Sequence, residues 1–263
     1  MPELPDVEVY KQYMDATSLH KKVDSLEVRE KRVLDGVSAR KLAGALTRNS
    51  LWETRRHGKY LFASISGGST WLVLHFGMTG SLAYFKEPEG DRRHDRVLFH
   101  FENGYTLAYV SQRLLGGVGL TGSVEGFVSE KGMGPDAFAL HFEAFRDIVA
   151  RGRGTVKSTL MNQKLIAGIG NIYSDEILFQ AGVHPGADVR TLSGSRLRAI
   201  YDSMFKVMET AIERRTDPAE FPDWFIIPRR REGGTCPRCG GKVKTVKISG
   251  RTAYFCPTCQ GKR

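Results

Sequence analysis

Apolar residues change period near the middle of the chain. In the first half they run or alternate: Leu72-Val73-Leu74-His75-Phe76 is a short apolar run closed by Gly77. Val97, Phe99 and Phe101 alternate up to Asn103-Gly104, and Tyr105, Leu107 and Tyr109 alternate beyond it. A period of two sends side chains to opposite faces of a strand, and Asn-Gly between two such runs predicts a hairpin with a type I′ turn. Arg55-Arg56-His57-Gly58-Lys59-Tyr60 predicts another tight connection between strands. Two helices are expected here: one after Pro5 with Val7, Tyr10 and Met14 on one face, and one over Ala39 to Leu46 capped by Ser38. In the second half Phe142, Phe145, Ile148 and Val149 take helical spacing, as do Leu197, Ile200, Met204, Val207, Met208 and Ala211. Between them the pattern predicts a helix from Lys157 to about Ala167, a turn through Gly168-Ile169-Gly170, and a helix from Asn171. The expectation is an α+β chain with a β-sandwich or barrel-like domain, attached helices, and a helical second half.

The C-terminal end adds a metal site. All four cysteines lie in the last 28 residues, as Cys236-Pro-Arg-Cys239 and Cys256-Pro-Thr-Cys259. Two C-x2-C turns separated by 16 residues have the spacing of a four-thiolate structural zinc ribbon. The segment from Lys242 to Tyr254 alternates and turns at Ser249-Gly250, which predicts a hairpin. Two disulfides are the rival reading. No segment resembles a signal peptide and no apolar run is long enough to span a membrane, so a reducing cytosol is expected. One zinc ion, closed off by four thiolates, would be structural.

Charge says what the ribbon is for. From Arg229 to Arg263 there are ten Lys and Arg and one acid, a formal +9 out of +10 for the whole chain. The other 228 residues carry 29 basic and 28 acidic groups and are close to balance. Basic charge concentrated on a small metal-stapled element is the footprint of a polyanion binder. The turn before Asn171 points the same way: glycines let backbone approach a ligand, and helix-terminal amides favour an anion. Core packing of those glycines is the equally open alternative.

The chain opens Met1-Pro2-Glu3-Leu4-Pro5. With Met1 removed, Pro2 presents a secondary amine beside a carboxylate. A terminal amine titrates at about 7.7–8.0, so an appreciable fraction is a free nucleophile near neutral pH, able to form a Schiff base. Glu3 could move the protons of such a step. The two prolines could equally serve only to stiffen the start of a helix.

Five motifs in one order decide between these readings. They are Pro2-Glu3-Leu4-Pro5, Gly58-Lys59-Tyr60, His75-Phe76-Gly77-Met78-Thr79-Gly80, Gly168-Ile169-Gly170-Asn171-Ile172-Tyr173 and the cysteine ribbon. Together the chain resembles the formamidopyrimidine-DNA glycosylase and endonuclease VIII family along essentially its whole length. The resemblance implies a bifunctional enzyme that excises oxidised bases through a Schiff base on the N-terminal proline and nicks the abasic strand by β,δ-elimination. It implies a β-sandwich (1–131), a helix–two-turns–helix domain (132–228) and a zinc finger (229–263). It also implies a monomer without membrane association, working in the cytoplasm at the nucleoid if the source is prokaryotic. Its partner is double-stranded DNA carrying oxidised bases or abasic sites.

Residue by residue, Pro2 resembles the family nucleophile at the sugar C1′. Glu3 resembles the acid that opens the sugar ring, and Lys59 the hairpin lysine that contacts a phosphate beside the lesion. Lys157, Asn171 and the finger's Arg251 match phosphate-gripping positions, and His94 is placed with the DNA contacts. Glu176 matches a second family carboxylate, expected to be structural. A base inside a duplex must be extruded before chemistry, and side chains must fill the void. Met78 matches the void-filling methionine and Arg113 the arginine facing the widowed base. Departures are clear. Ser111-Gln112-Arg113-Leu114-Leu115-Gly116 stands where the family often has Asp-Pro-Arg-Arg-Phe-Gly, so Leu115 occupies the wedge position. Asp6 replaces a usual glutamate and Arg96 a usual histidine. The stretch from Thr216 to Trp224 leaves little room for the loop that covers extruded 8-oxoguanine. A catalytically silent damaged-DNA or RNA-binding relative is the alternative; retention of Pro2, Glu3 and Lys59 favours the enzyme, because a binder needs no terminal amine.

Overall fold

The computed structural model describes residues 2–87, 90 and 92–261; Met1, whose removal the expected chemistry needs, and the last two basic residues lie outside them. The chain groups into two compact units, one of Met1–Pro2 with Asp6–Gly132 and one of Glu3–Pro5 with Met133–Arg263.

In the first unit, helix α1 (Leu4–Thr17) leads into β1 (Val23–Val28), β2 (Leu34–Asp35), α2 (Ala39–Leu46), β3 (Leu51–His57), β4 (Tyr60–Ile65) and β5 (Trp71–His75). Then come β6 (Gly80–Phe85), β7 (Asp95–Phe101), β8 (Thr106–Ser111), β9 (Gly117–Thr121) and α3 (Val124–Glu130). One sheet has the order β1-β7-β8-β6, the other β2-β9-β5-β4-β3. The alternation seen in the sequence becomes the sandwich core: Val97, Phe99, Phe101, Leu107 and Tyr109 share a buried cluster with Leu61, Ala63, Leu72, Leu74 and Val118. Val7 and Met14 of α1 and Leu42 and Leu46 of α2 join it. Each Val, Leu, Phe or Met among them contributes about 1.5–3 kcal/mol of burial. Phe62 and Val73 take the opposite face of their sheet and pack with Val124 of α3.

Helix α2 has the expected bounds, with the Ser38 hydroxyl accepting from the Lys41 amide at 3.2 Å. The Asn103-Gly104 hairpin forms, but not with a type I′ turn. Gly104 has φ +78°, whereas Asn103 is not among the residues of positive φ, and its side chain accepts from the Tyr105 amide at 3.1 Å. That Asx closure makes a longer connection, since type I′ needs positive φ at both central residues. The I′ signature falls instead at Ser249-Gly250, with φ of 48° and 75°.

The second unit holds α4 (Phe142–Ala150), α5 (Val156–Leu160), α6 (Asn171–Gln180), α7 (Gly194–Glu213) and the ribbon hairpin β10 (Lys244–Ile248) and β11 (Arg251–Phe255). The helical periodicity of α4 and α7 is realised as one core with Ile177 and Leu178 of α6. Helix α5 stops at Leu160 rather than running to Ala167. Polar side chains satisfy the backbone without a helix there: Asn162 accepts from the Lys164 amide at 3.0 Å, and Gln163 donates to the carbonyls of Met161 (2.8 Å) and Ile169 (2.7 Å). The ribbon is not a separate body. Phe179 and Ile226 share a buried cluster with Cys236, Val243 and Cys256, and the Gln260 amide donates to the Val183 carbonyl at 2.9 Å. No helix among the described residues is long and apolar enough to cross a membrane.

Candidate active site

The glycine turn before α6 does bind an anion, and the anion belongs to the protein. Glu3 is fully buried. Its Oε2 accepts from the amides of Gly170 (2.7 Å) and Tyr173 (3.2 Å), and its Oε1 from the amide of Ile172 (2.8 Å). The first amides of a helix have no internal partners and carry the positive end of its dipole, so a carboxylate there is stabilised twice. Gly168 lets the N-terminal segment reach this seat. A Cβ on it would lie 2.6 Å from Leu4 Cδ1, and the Leu4 amide donates to the Gly168 carbonyl at 3.0 Å. Pro2, the neighbour of this fixed carboxylate, is half-buried.

Lys59 sits at the tip of the β3–β4 hairpin, half-buried, after Gly58 with φ +56°. The hairpin is held by an interaction invisible in the sequence. Arg56 is nearly buried, donates from Nε to Glu8 on α1 at 2.8 Å, and from Nη1 to the Gly58 carbonyl at 3.2 Å. Its guanidinium thus ties the lysine turn to the N-terminal helix. Beside it the His75 ring stacks on Tyr60 with centroids 4.7 Å apart. Burial holds His75 below the ordinary imidazole range, and the Lys59 and Lys131 charges push the same way while Asp35 opposes them. Asp35, Tyr60, His75, Leu115 and Gly116 line a cleft of about 220 Å³ here.

Met78, Arg113 and Leu115 come together on one rim of the first unit. Met78 is 36% and Leu115 54% exposed, unusual for such side chains, and Arg113 is exposed. Their loops interlock. The Arg113 amide donates to the Thr79 hydroxyl at 3.2 Å, and a Cβ on Gly77 would lie 2.4 Å from the Leu115 carbonyl carbon. Leu114 takes the strained left-handed conformation, with φ 54° and its side chain against the sandwich core. That throws Leu115 outward. His94 is half-buried at the start of β7, its Nδ1 3.1 Å from Arg96, which donates to the Ser111 carbonyl at 2.7 Å. Arg96 therefore braces the start of the Arg113 loop.

Lys157 is not where a phosphate contact should be. It is fully buried, and its ammonium donates to the Asn171 carbonyl (2.9 Å), the Ser174 hydroxyl (2.9 Å) and the Asp175 carboxylate (2.5 Å). Gripping an external phosphate would require breaking all three. Burial lowers the Lys157 ammonium and raises the Asp175 carboxyl from their ordinary values, and the attraction between the two opposes both shifts. The second Asp175 oxygen accepts from Arg230 Nε at 2.8 Å and from the Tyr254 amide of β11 at 3.2 Å. Asn171 begins α6 half-buried, with its Oδ1 buried and unmatched by any partner in the structure. Arg251 is exposed at the start of β11, paired across the hairpin with Ile248.

The four cysteine Sγ atoms lie within 4.8 Å of one another, with Cys236 and Cys259 3.8 Å apart and Cys239 and Cys256 3.5 Å apart. Four thiolates at about 2.3 Å from a tetrahedral zinc stand about 3.8 Å from each other, so the set fits one structural ion with no open position.

Comparison with known proteins places this geometry. Residues 1–118 match the profile of the formamidopyrimidine-DNA glycosylase N-terminal domain, 132–222 the H2TH domain of the same glycosylase, and 233–261 the zinc finger found in FPG and IleRS. The formamidopyrimidine-DNA glycosylase of Pelotomaculum thermopropionicum is 32% identical over 274 residues, covering 99% of both chains. The chain belongs to the formamidopyrimidine-DNA glycosylase family. It is a DNA glycosylase of base excision repair. The Streptococcus pneumoniae enzyme of that name is 30% identical over 275 residues, again covering 99% of each chain. Among solved structures, Lactococcus lactis Fpg in complex with abasic-site DNA matches with TM-score 0.89 at 26% identity, over 99% of this chain and all of that one. The same protein bound to DNA containing N7-benzyl-Fapy-dG matches with TM-score 0.90.

Within this family frame, the segment after α7 is packed down rather than free. Arg215 and Thr216 have φ of 51° and 55°, and Phe221 and Phe225 enter the core of the second unit. Trp224 lies over Phe225 with its carbonyl accepting from Gln180 at 2.9 Å. Glu176 is buried beneath, accepting from the amides of Ile226 and Ile227 at 2.9 Å each and from Gln180 at 2.7 Å, so its role is to hold this segment. Burial pushes its carboxyl up to about 7. Sequence reasoning did not pair Glu8 with Arg56, and it gave no role to Asp175 or Arg230. The one signal available for the first two was a carboxylate near the terminus and an arginine just before the lysine turn, which local pattern cannot pair.

Proposed function

We propose that Pro2 and Glu3 carry the excision chemistry of this glycosylase, with Lys59 at the neighbouring phosphate. The Pro2 nitrogen attacks C1′ of the damaged nucleotide, the glycosidic bond breaks, the base departs with the bonding pair, and the Glu3 carboxylate takes the proton that the attacking nitrogen loses. Glu3 delivers a proton to the ring oxygen, the C1′–O4′ bond opens, and the nitrogen lone pair forms the iminium. Loss of a C2′ proton then expels the 3′ phosphate, and a second elimination expels the 5′ phosphate. One observation supports this reading above others: the carboxylate next to the terminal amine is held by three backbone amides, a fixed orientation that a mere helix start does not need. Preorganised groups contribute to rate because they need no reorganisation during reaction.

Met78, Arg113 and Leu115 fill the duplex where the nucleotide has left, supported by their exposure on one interlocked rim. Arg251 and Asn171 hold phosphates, and the zinc ribbon supplies the basic surface. Lys157 has no such role in this reading. The substrate is double-stranded DNA with oxidised bases or abasic sites. The relatives are bacterial, which supports a cytoplasmic enzyme working at the nucleoid. Borohydride added during reaction with abasic-site DNA tests the assignment. The expected adduct maps to the N-terminal peptide of a chain lacking Met1, and an adduct on Lys59 overturns it.

A further inference from the structure

We propose that Asp175 and Arg230 are positioning residues that couple the zinc ribbon to the orientation of Glu3. The inference rests on the reading of Glu3 as the acid and Arg251 as a phosphate contact. It goes beyond that reading because neither positioning residue touches substrate in it.

The chain of contacts is continuous. Arg251 opens β11, and Tyr254 lies three residues further along the same strand. The Tyr254 amide donates to Asp175 Oδ2, which also accepts from Arg230 Nε, while Arg230 stacks over the Tyr254 ring at 4.5 Å. The other Asp175 oxygen accepts from Lys157. Lys157 and Arg230 both donate to the carbonyl of Asn171, at 2.9 and 3.3 Å. Asn171 is the first residue of α6, and the residues on either side of it, Gly170 and Ile172, donate to Glu3. A shift of β11 therefore acts on Asp175 and Arg230, and through them on the peptide at the centre of the Glu3 seat.

The chemistry of the cluster suits a coupling element better than a simple staple. Lys157 and Asp175 are buried and Arg230 is half-buried against them, so every hydrogen bond matters: an unpaired buried charge is strongly unfavourable, and the cluster has few alternative arrangements. A DNA phosphate on Arg251 would draw on the strand that carries the Tyr254 amide. The predicted consequence is that ribbon contacts change the rate of the step served by Glu3 as well as affinity.

The test uses Arg251→Ala, Arg230→Met and the double variant in the full zinc-loaded protein. Arg230→Met leaves Asp175 paired with Lys157, so it spares the fold; circular dichroism and zinc content check this. Single-turnover excision at saturating DNA should fall about 5- to 30-fold in each single variant. The double variant should fall no further than the worse single one, since both interrupt one path. Cleavage of a preformed abasic site, whose sugar opens to the aldehyde in water without help from Glu3, should be much less affected. Multiplying losses, or an Arg251→Ala variant that loses affinity while keeping its saturating rate, overturns the proposal. Glu3→Gln, assayed alongside, separates the two ideas. If it excises bases normally the reading of Glu3 has failed, whereas an inactive Glu3→Gln beside uncoupled variants removes only the coupling.

Discussion

The Glu3 carboxylate accepts the backbone N–H of Ile172 at 2.8 Å, so the residue next to the N-terminal amine is carried by the first turn of α6. The helix terminus that the sequence offers to an external anion is already filled. Glu3→Gln brings one acceptor oxygen and one NH2 group to a seat of three donors. An unmatched buried donor costs about 1–3 kcal/mol, so the amide side chain will sit poorly. Base excision should fall about 100- to 10,000-fold, the usual contribution of a general acid, while gel-shift affinity for abasic-site DNA holds. Equal losses in both measurements would make Glu3 a structural residue.

Zinc should account for one ion per chain by metal analysis. The ribbon packs on α6 and on the segment before Cys236 through Phe179, Ile226 and Gln260, so metal loss disturbs more than the finger. Cys236→Ser, or chelation, should abolish DNA binding and lower the melting temperature of the second unit, because structural zinc sites supply folding energy directly. Arg251→Ala should keep its zinc and reduce the slope of log affinity against log salt by about one phosphate contact. An unchanged slope would place Arg251 away from DNA.

Stability should depend on pH through Glu176. Its carboxyl is pushed up to about 7 by burial, whereas the unfolded chain has the ordinary 4.5. Between these values the folded protein holds a proton that the unfolded chain has released. The stabilisation is complete below about pH 4.5 and is lost as pH rises through about 7, to a limit of about 3 kcal/mol. Melting temperatures from pH 5 to 8 should fall more steeply in the wild type than in Glu176→Gln. Parallel curves would mean that Glu176 is ionised throughout, held by its amide donors.

Apolar patterning was enough to place β5, β7, β8 and α7, and the Ser38 cap to place α2, whereas β1, β2, β6 and β9 carried no such signal. Cysteine spacing was enough for the ribbon. Lys157 shows where pattern fails: a lysine near a glycine turn reads as a surface cation, and only the fold supplies the Asp175, Ser174 and Asn171 oxygens that hold it inside. The end of α5 was missed because Asn162 and Gln163 close the backbone with their side chains, and helical spacing does not register that competition. The Arg56–Glu8 pair spans 48 positions, a separation that local reasoning cannot bridge.

Lesion choice should follow from what the segment after α7 cannot do. A site that recognises an extruded base by polar contacts discriminates strongly, and loses that discrimination when the contacts are missing. Here Thr216 to Phe225 is short, and its aromatic side chains are committed: Phe221 and Phe225 are buried in the core, and Trp224 packs on Phe225 with Lys206 against its ring at 4.6 Å. None is available as a lid. In the first unit, Leu115 offers less stacking surface than the phenylalanine usual in the family, and Leu114 is turned into the sandwich rather than outward. Ring-opened purines, hydantoins or oxidised pyrimidines should therefore be excised faster than 8-oxoguanine, with abasic-site cleavage intact. Leu115→Phe should sharpen the opposite-base preference without altering the order of lesions, because it acts at the void and not at the base pocket. Single-turnover rates on duplexes carrying each lesion opposite each base measure both effects. Fastest excision of 8-oxoguanine opposite cytosine would show that a short packed segment suffices to recognise that base, and the argument from loop length would be wrong.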